Sequence, residues 1–479
     1  MASHPSTQRP TLFLALVPLL VLVLLLALNV VVFGDSGLEG PNQLALLASA
    51  AVAAVIGHRK GHGIGILLEH AYDSIRTAMG AVLILLMIGA LASTWLLAGI
   101  VPAMIHHGLL IIAPGYFLVA AAVASALVSL ATGSSWSTAA TVGIALMGIG
   151  SALGIPAGWV AGAVISGAYF GDKVSPLSDT TNLAPAVAGS ELFGHIRYML
   201  ITTVPSLLIA LVVFAVAGLF LDVNGDPQGL EAVHAALTGR FRIGWWSYLV
   251  PAVVIVLIYR KVPALPALFA GTLLGALFAL VFQSQLLHDL AGGGSAADLY
   301  RTVIGAMGTG VSITTGNAQV DELLGSGGMS GMMGTIWLIL CAMTFGGIME
   351  RTGALERITA SLAGLVRGDG SLVATTAASC VVTNVSASDQ YLSIVVPGRM
   401  FAPLFRARGL DPRVLSRTLE DAGTVTSPLV PWNTCGAYMA TVLGVATIDY
   451  LPYAVFNLVS PLMTVLVAVA GYRILRVRP

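Results

Sequence analysis

Residues 11–33 read TLFLALVPLLVLVLLLALNVVVF, and within that run only Thr11 and Asn29 carry polar side chains. A helix of about 20 apolar residues matches the ~30 Å hydrocarbon core of a bilayer. Comparable runs recur, giving candidate spans at 11–34, 41–57, 78–100, 198–221, 246–260, 263–282, 333–349 and 451–475. They are continuous rather than alternating, which argues against a β-barrel. Backbone in lipid must satisfy its own hydrogen bonds, so the expected fold is an all-α polytopic membrane protein. The first run is longer than the apolar core of a secretion signal, and no small-residue cleavage site follows it. It reads as the first span.

Charged residues make up 9% of the chain and hydrophobic ones 57%. A soluble domain carries about 25% charged residues, so an ordinary water-facing surface cannot be built. Net charge is zero and no polybasic stretch interleaved with aromatics occurs, so nucleic acid is not expected as a partner; membrane lipid is. Cys341, Cys380 and Cys435 are isolated, without the spacing of a disulfide scaffold or metal site. No GxxxxGK[ST] or HExxH motif occurs, and GSSWS at 133–137 ends in Ser where a nucleophile elbow needs Gly. The chain is therefore not expected to be an enzyme, and no cofactor is implied. His106 and His107 read as interfacial.

Lys and Arg placement sets the expected orientation. Arg59 and Lys60, Arg260 and Lys261, Arg351, Arg357 and Arg367, the group Arg399–Arg417, and Arg473, Arg476 and Arg478 fall on one side, together with Arg9 and Arg197. The loops 100–114 and 222–226 on the other side carry neither residue. Both termini are expected in the cytoplasm, with the chain in the plasma (inner) membrane.

Two apolar regions, about 115–190 and 371–448, are broken by Gly, Pro, Ser, Thr and Asn. The first holds TGSSWST (132–138) and SPLSDTTN (175–182), the second TNVSASDQYLS (383–393) and TSPLVPWNT (426–434). Ser-Pro-Leu recurs at 175–177 and 427–429, 252 positions apart, and that offset carries Ser134 onto Ser386. By the charge map the regions cross the membrane in opposite directions, the pattern of inverted repeats with interrupted helices. Each is read as a re-entrant hairpin followed by a discontinuous helix. The domain reading is 1–77 for N-terminal spans and a surface helix, with Glu69, Asp73 and Arg76 on its exposed face. The first repeat follows at 78–197 (hairpin 115–150, broken helix 157–190), then linking helices and loops at 198–332. The second repeat is 333–448 (hairpin 371–404, broken helix 411–448), and 449–479 is a terminal span. The stretches 222–243 and 283–331 read as extramembrane loops with short surface helices.

Pro removes a donor and frees the carbonyl four residues earlier. Pro176 would release that of Asp172, Pro428 that of Thr424, Pro185 that of Thr181 and Pro431 that of Ser427. Beside those carbonyls stand Ser175, Ser178, Thr180, Thr181 and Asn182 on one helix, and Thr424, Thr426, Ser427, Asn433 and Thr434 on the other. The hairpin tips add Thr132, Ser134 and Ser135 against Asn384, Ser386 and Asp389. Such hard oxygen donors suit a small alkali cation. Asp172, Asp179 and Asp389 add carboxylates, and an ionised Asp at membrane depth costs several kcal/mol unless paired or solvated. Such a group holds a proton or Na+ but hardly both, which is the logic of exchange. Na+ is placed at Asp172 and Asp179. Each carboxylate also has a structural reading: Asp172 as a pair with Lys173, Asp179 as a helix cap, Asp389 as a turn residue. Glu420 and Asp421 read as vestibule-facing or simply solvated.

SGAYFGDKVSPLSDTTNLAPAVAG (166–189) closely resembles the signature of the NhaC-type Na+/H+ antiporter family, within the ion transporter superfamily. VSLATGSSWSTAATVGIALMGIG (128–150) and EDAGTVTSPLVPWNTCGAYMATVLGV (420–445) are similar to its other blocks, and the similarity runs in order from about 78 to 448. The resemblance implies exchange of Na+ against H+ on an inverted-repeat fold. It leaves open an alternative, a Na+- or H+-coupled carrier of a small carboxylate or amino acid, since relatives also move organic solutes. Lys173 or Arg399 would then meet the substrate carboxylate. Carriers of this layout are often homodimers.

Overall fold

The computed structural model describes residues 10–33, 40–111, 114–221, 227–260, 262–317, 320–321 and 324–477. Arg9, Lys261, Arg478 and the loop 222–226, used in the orientation reading, lie outside them. Among the described residues the chain is almost wholly helical, with one small two-stranded antiparallel ribbon pairing Val311–Ser312 with Gly325–Ser326. Seven helices are long and apolar enough to cross a membrane, and two bent pairs bring the total to nine if each pair is one span. Leu24, Val31, Leu208, Val212, Leu219, Phe220, Leu462 and Leu466 stand exposed on those helices, a surface suited to lipid rather than water. This is a multi-pass membrane protein.

Each broken region forms a hairpin and then a discontinuous helix. In the first, Phe117–Thr132 leads to a tip, and the chain returns through Ser135–Thr138, a π-turn at Ala139–Gly143 and Ile144–Ala152. Ala157–Val174 then breaks and resumes as Asp179–Ala188. In the second, the arms are Asp369–Ala387 and Gln390–Ala407, longer than expected, and the first of them reaches the length of a full span. Pro412–Leu419 widens into a π-turn at Glu420–Thr424 and a 3-10 turn at Ser427–Leu429 before resuming as Thr434–Leu443.

The repeats pack reciprocally. Asp179–Ala188 of the first lies on Gln390–Ala407 of the second, and Thr434–Leu443 of the second lies on the returning arm of the first hairpin. Ile64–Leu97 packs on Met333–Arg351, and Leu192–Phe220 on Val455–Val469. Exchange of equivalent neighbours is what a pseudo-two-fold relation produces, and it sets both breaks near one centre.

Two expectations change. The surface helix and the third span are one continuous helix, Ile64–Leu97, because nothing between Ile64 and Ala78 breaks it. Its Arg76–Asp73 pair is exposed, as read from the sequence. The stretches 227–240, 284–291 and 296–309 form short helices, in line with the reading of those regions. The stretch read as a span at 246–260 contains an α-helix of only 11 residues, Leu249–Tyr259, bent by 84° against the preceding helix.

Candidate functional site

The first wall is built by a helix that stops and restarts. Pro176 has no N–H to continue Ala157–Val174. The chain resumes at Asp179 under a cap from Ser178, whose Oγ accepts from the Thr181 amide at 3.4 Å. The Thr181 hydroxyl turns back and donates to the carbonyls of Asp172 (3.2 Å) and Lys173 (3.0 Å). The freed carbonyls are thus partly satisfied from within, as buried backbone requires. Asp172 itself is buried, and its Oδ2 accepts two bonds from Ser135, from the amide at 3.1 Å and the hydroxyl at 2.7 Å. Ser135 is presented by the hairpin tip, where half-buried Ser134 caps the short helix by accepting from the Ser137 amide at 3.1 Å. The tip touches the break so closely that Gly133, at φ +70°, has no room for a Cβ; one would lie 2.6 Å from Leu177 Cβ. Ser175 donates to the Leu130 carbonyl at 2.9 Å, tying the break to the other arm.

The second wall holds amides at the equivalent place. Asn433 caps Thr434–Leu443 through the Cys435 amide (3.0 Å) and donates to Asn384 Oδ1 (3.1 Å) and its carbonyl (3.2 Å). Asn384 in turn donates to the Gly423 carbonyl (2.7 Å) and Thr426 Oγ1 (3.0 Å). Ser427 donates to the Thr424 carbonyl at 2.7 Å, and the Val430 amide meets the Ser427 carbonyl at 3.3 Å. The carbonyls freed by Pro428 and Pro431 are therefore also met.

A buried ion pair joins the walls. Lys173 Nζ donates to Asp421 Oδ1 and, at 3.1 Å, to Ser460 Oγ. Asp421 Oδ2 accepts from Thr202 Oγ1 at 2.8 Å. One residue back, Glu420 is fully buried, and both its oxygens, like Thr424 Oγ1, lack a hydrogen-bond partner among the described residues. The first hairpin tip also seats on the second helix, where Tyr438 stacks on Trp136 at 3.8 Å and donates to its carbonyl at 2.8 Å. The layer is rich in hydroxyl, amide, carbonyl and carboxylate oxygens. Among the described residues no group of three or more His, Cys, Asp or Glu is placed to hold a metal ion. Such a donor set suits a hard monovalent cation or a proton, not a transition metal.

A family profile described as the Na+/H+ antiporter family matches residues 167–472, which includes both helix breaks and the second hairpin. The chain belongs to the Na+/H+ antiporter family. It is 39% identical to the Na+/H+ antiporter NhaC of Alkalihalophilus pseudofirmus, over 90% of each chain. It is 36% identical to the malate-2H+/Na+-lactate antiporter of Bacillus subtilis, over 95% of this chain and 94% of the relative. It is also 36% identical to the arginine/ornithine antiporter ArcD of Halobacterium salinarum, over 97% of this chain and 93% of the relative. Membership makes this chain a transporter.

Within this antiporter the expected site residues divide. Asp172, Ser135, Ser175, Thr180 and Thr181 are buried at the first break, and Asn384, Thr424, Ser427, Asn433 and Thr434 at the second. Asp179 does not join the buried set, since it opens the helix after the break with its side chain exposed. Asn182 and Pro176 are exposed too, and the Asn182 amide donates to the carbonyls of Pro176 (3.0 Å) and Ser178 (2.7 Å). Asp389 is buried but caps the second hairpin arm, accepting from the Leu392 amide at 2.9 Å. Ser386 donates within its own helix, to the Val382 carbonyl at 2.6 Å. Arg399 is exposed, and Lys173 is held by Asp421 rather than by its neighbour Asp172. Glu420 and Asp421 are fully buried, not solvated. Their signal was available, namely two acids inside an apolar block at membrane depth; what hid their role was the fold-back that brings Lys173 to them. Arg417, Thr202 and Ser460 had no local signal.

Proposed function

We propose that this chain is a secondary Na+/H+ antiporter of the plasma membrane, with both termini cytoplasmic, exchanging Na+ for H+ by alternating access. The observation that carries the reading is Asp172, a buried carboxylate held by a hairpin-tip serine against a helix break, in a chain of this family. Ser135 supplies donors to the ionised form, and loss of those contacts on tip movement would change the preference between Na+ and H+. Hydroxyls and carbonyls of both breaks complete the shell for Na+, and Asp179 guards its outer edge. Na+ acts as cargo, not as a resident cofactor. The unpartnered oxygens of Glu420 and Thr424 are further acceptors for a cation or proton in transit. Reciprocal packing of the repeats supplies two equivalent arrangements, one open to each side. Two copies of the chain are expected to form a dimer.

Na+-dependent proton flux in proteoliposomes tests this. Adding Na+ to a loaded vesicle should change its internal pH, and lowering external pH should raise the Na+ concentration needed for half-maximal flux. Absence of any pH change on Na+ addition sinks the proposal. A second reading, coupled exchange of a carboxylate or amino acid, draws on the malate/lactate and arginine/ornithine relatives, and uptake of labelled solute under a Na+ gradient separates the two.

A further inference from the structure

Arg417 lies on Pro412–Leu419 with its side chain fully buried. Its Nε, Nη1 and Nη2 have no hydrogen-bond partner among the described residues. A guanidinium carries five N–H donors in a rigid fork and keeps its charge in any protein setting. Two neighbours compensate it in part. The Tyr198 ring lies 4.6 Å from its Cζ, and Asp421 Oδ2 lies 3.9 Å from its Nε, outside hydrogen-bond range. That carboxylate is already engaged by Lys173 and Thr202. The contrast with Glu420, also without a hydrogen-bond partner among the described residues, is informative. A carboxyl can be neutralised by a proton, whereas Arg417 can only be neutralised by an anion.

The groups around Arg417 connect it to the mostly exposed segment at 473–477. Ser416, the preceding residue, shares a 2.8 Å contact with His195 Nδ1, and the His195 Nε2 atom is buried without a hydrogen-bond partner among the described residues. Tyr198, stacked on Arg417, donates through its hydroxyl to the Arg473 carbonyl at 3.0 Å. The tail beyond is laid across this end by the Asp411 amide to the Leu475 carbonyl (3.0 Å), the Val477 amide to the Gly409 carbonyl (2.9 Å) and Arg476 to Asp369 (2.6 Å). Tyr198 is thus the link between the surface tail and the buried cation.

We propose that Arg417 is an anion site that takes the carboxylate of a small organic solute in its two-pronged fork, reached from the tail side as Tyr198 moves. The proposal deepens the exchange reading above and rests on it for the coupling ion. It also replaces Lys173 and Arg399 as the cation for such a cargo, since one is paired and the other exposed.

The test is thermal unfolding of the purified full chain at constant Na+ and ionic strength, with sodium L-lactate, sodium L-malate, L-arginine or sodium phosphate compared with chloride. At least one carboxylate should raise Tm in a saturable way, because only a ligand of the folded state does so. R417K, which keeps the charge and loses the fork, should require a several-fold higher concentration for the same shift. The proposal is overturned if no carboxylate exceeds chloride in the wild-type chain, if phosphate stabilises and no carboxylate does, or if R417K responds as wild type does. The wild-type arm decides even if R417K does not fold. Proton flux of the same preparation separates the two levels. Na+-driven flux with no carboxylate effect overturns this site alone, and absence of flux overturns the exchange reading itself.

Discussion

At the repeat offset, Asp172 of the first broken helix corresponds to Thr424 of the second, Lys173 to Val425, and Ser135 of the hairpin tip to Ala387. In the other direction, Arg417, Glu420 and Asp421 correspond to Ile165, Ala168 and Tyr169. The backbone outline is repeated while the ionisable side chains are not. Each half lacks the charges the other carries, and the Lys173–Asp421 pair bridges the difference. A symmetric frame gives two equivalent ways of opening, and asymmetric charges ensure that one carboxylate, not two, faces the first hairpin tip. The second wall needs no charge there because its Asn384–Asn433 pair satisfies the same break with neutral donors and acceptors.

The comparison breaks most visibly at Asp172. D172N should reduce Na+-dependent proton flux to the level of empty vesicles, while T424A at the equivalent position should keep a measurable part of it. Equal flux in the two variants would mean the walls are not functionally distinct. Next comes the bridge. K173M leaves Asp421 with only the more distant Arg417, and D421N leaves both Lys173 and Arg417 without their carboxylate; each should cost roughly 3–5 kcal/mol of stability, D421N the more. The double variant should recover only part of that, because Arg417 still loses Asp421, and thermal unfolding of all three measures the coupling. A smaller contrast separates acid from amide. S135A removes one hydrogen bond to a charged group, worth about 1.5–3 kcal/mol, and should raise the Na+ concentration for half-maximal flux. N433A should instead lower Tm, through a lost cap worth about 1 kcal/mol, with its main effect on stability. The smallest effect is expected at Asn182, where an exposed amide bonds only its own turn. N182A should stay within about 0.5 kcal/mol of wild type and keep most of the flux, and a dead variant would show that this face meets the cargo.

The membrane architecture was legible because hydrophobic run length answers directly to bilayer thickness. The breaks were legible because Pro176, Pro428 and Pro431 cannot continue a helix wherever they lie. Side-chain roles near the breaks were less so. Asp179 and Asp172 look alike in GDKVSPLSDTTN, yet the restart of the helix at Asp179 exposes one and the hairpin tip buries the other. Asp389 sits at a tip as Ser134 does, and both turn out to be caps. The anticipated bare carbonyls were wrong in detail, because Thr181 and Ser427 return their hydroxyls to them.

The sequence alone determined that this chain lives in a membrane, that it is helical, and that polar chemistry concentrates at two interruptions related by a repeat. Those follow from local properties: apolar length, missing donors and hydroxyl clusters. Only the tertiary structure decided which polar residues meet. Lys173 and Asp421 are 248 positions apart and Ser135 and Asp172 are 37 apart, and no local rule pairs them. Burial in a low-dielectric interior makes such pairings strong and their absence costly. The same packing that satisfies Asp172 and Lys173 leaves Arg417 and Glu420 without hydrogen-bond partners among the described residues.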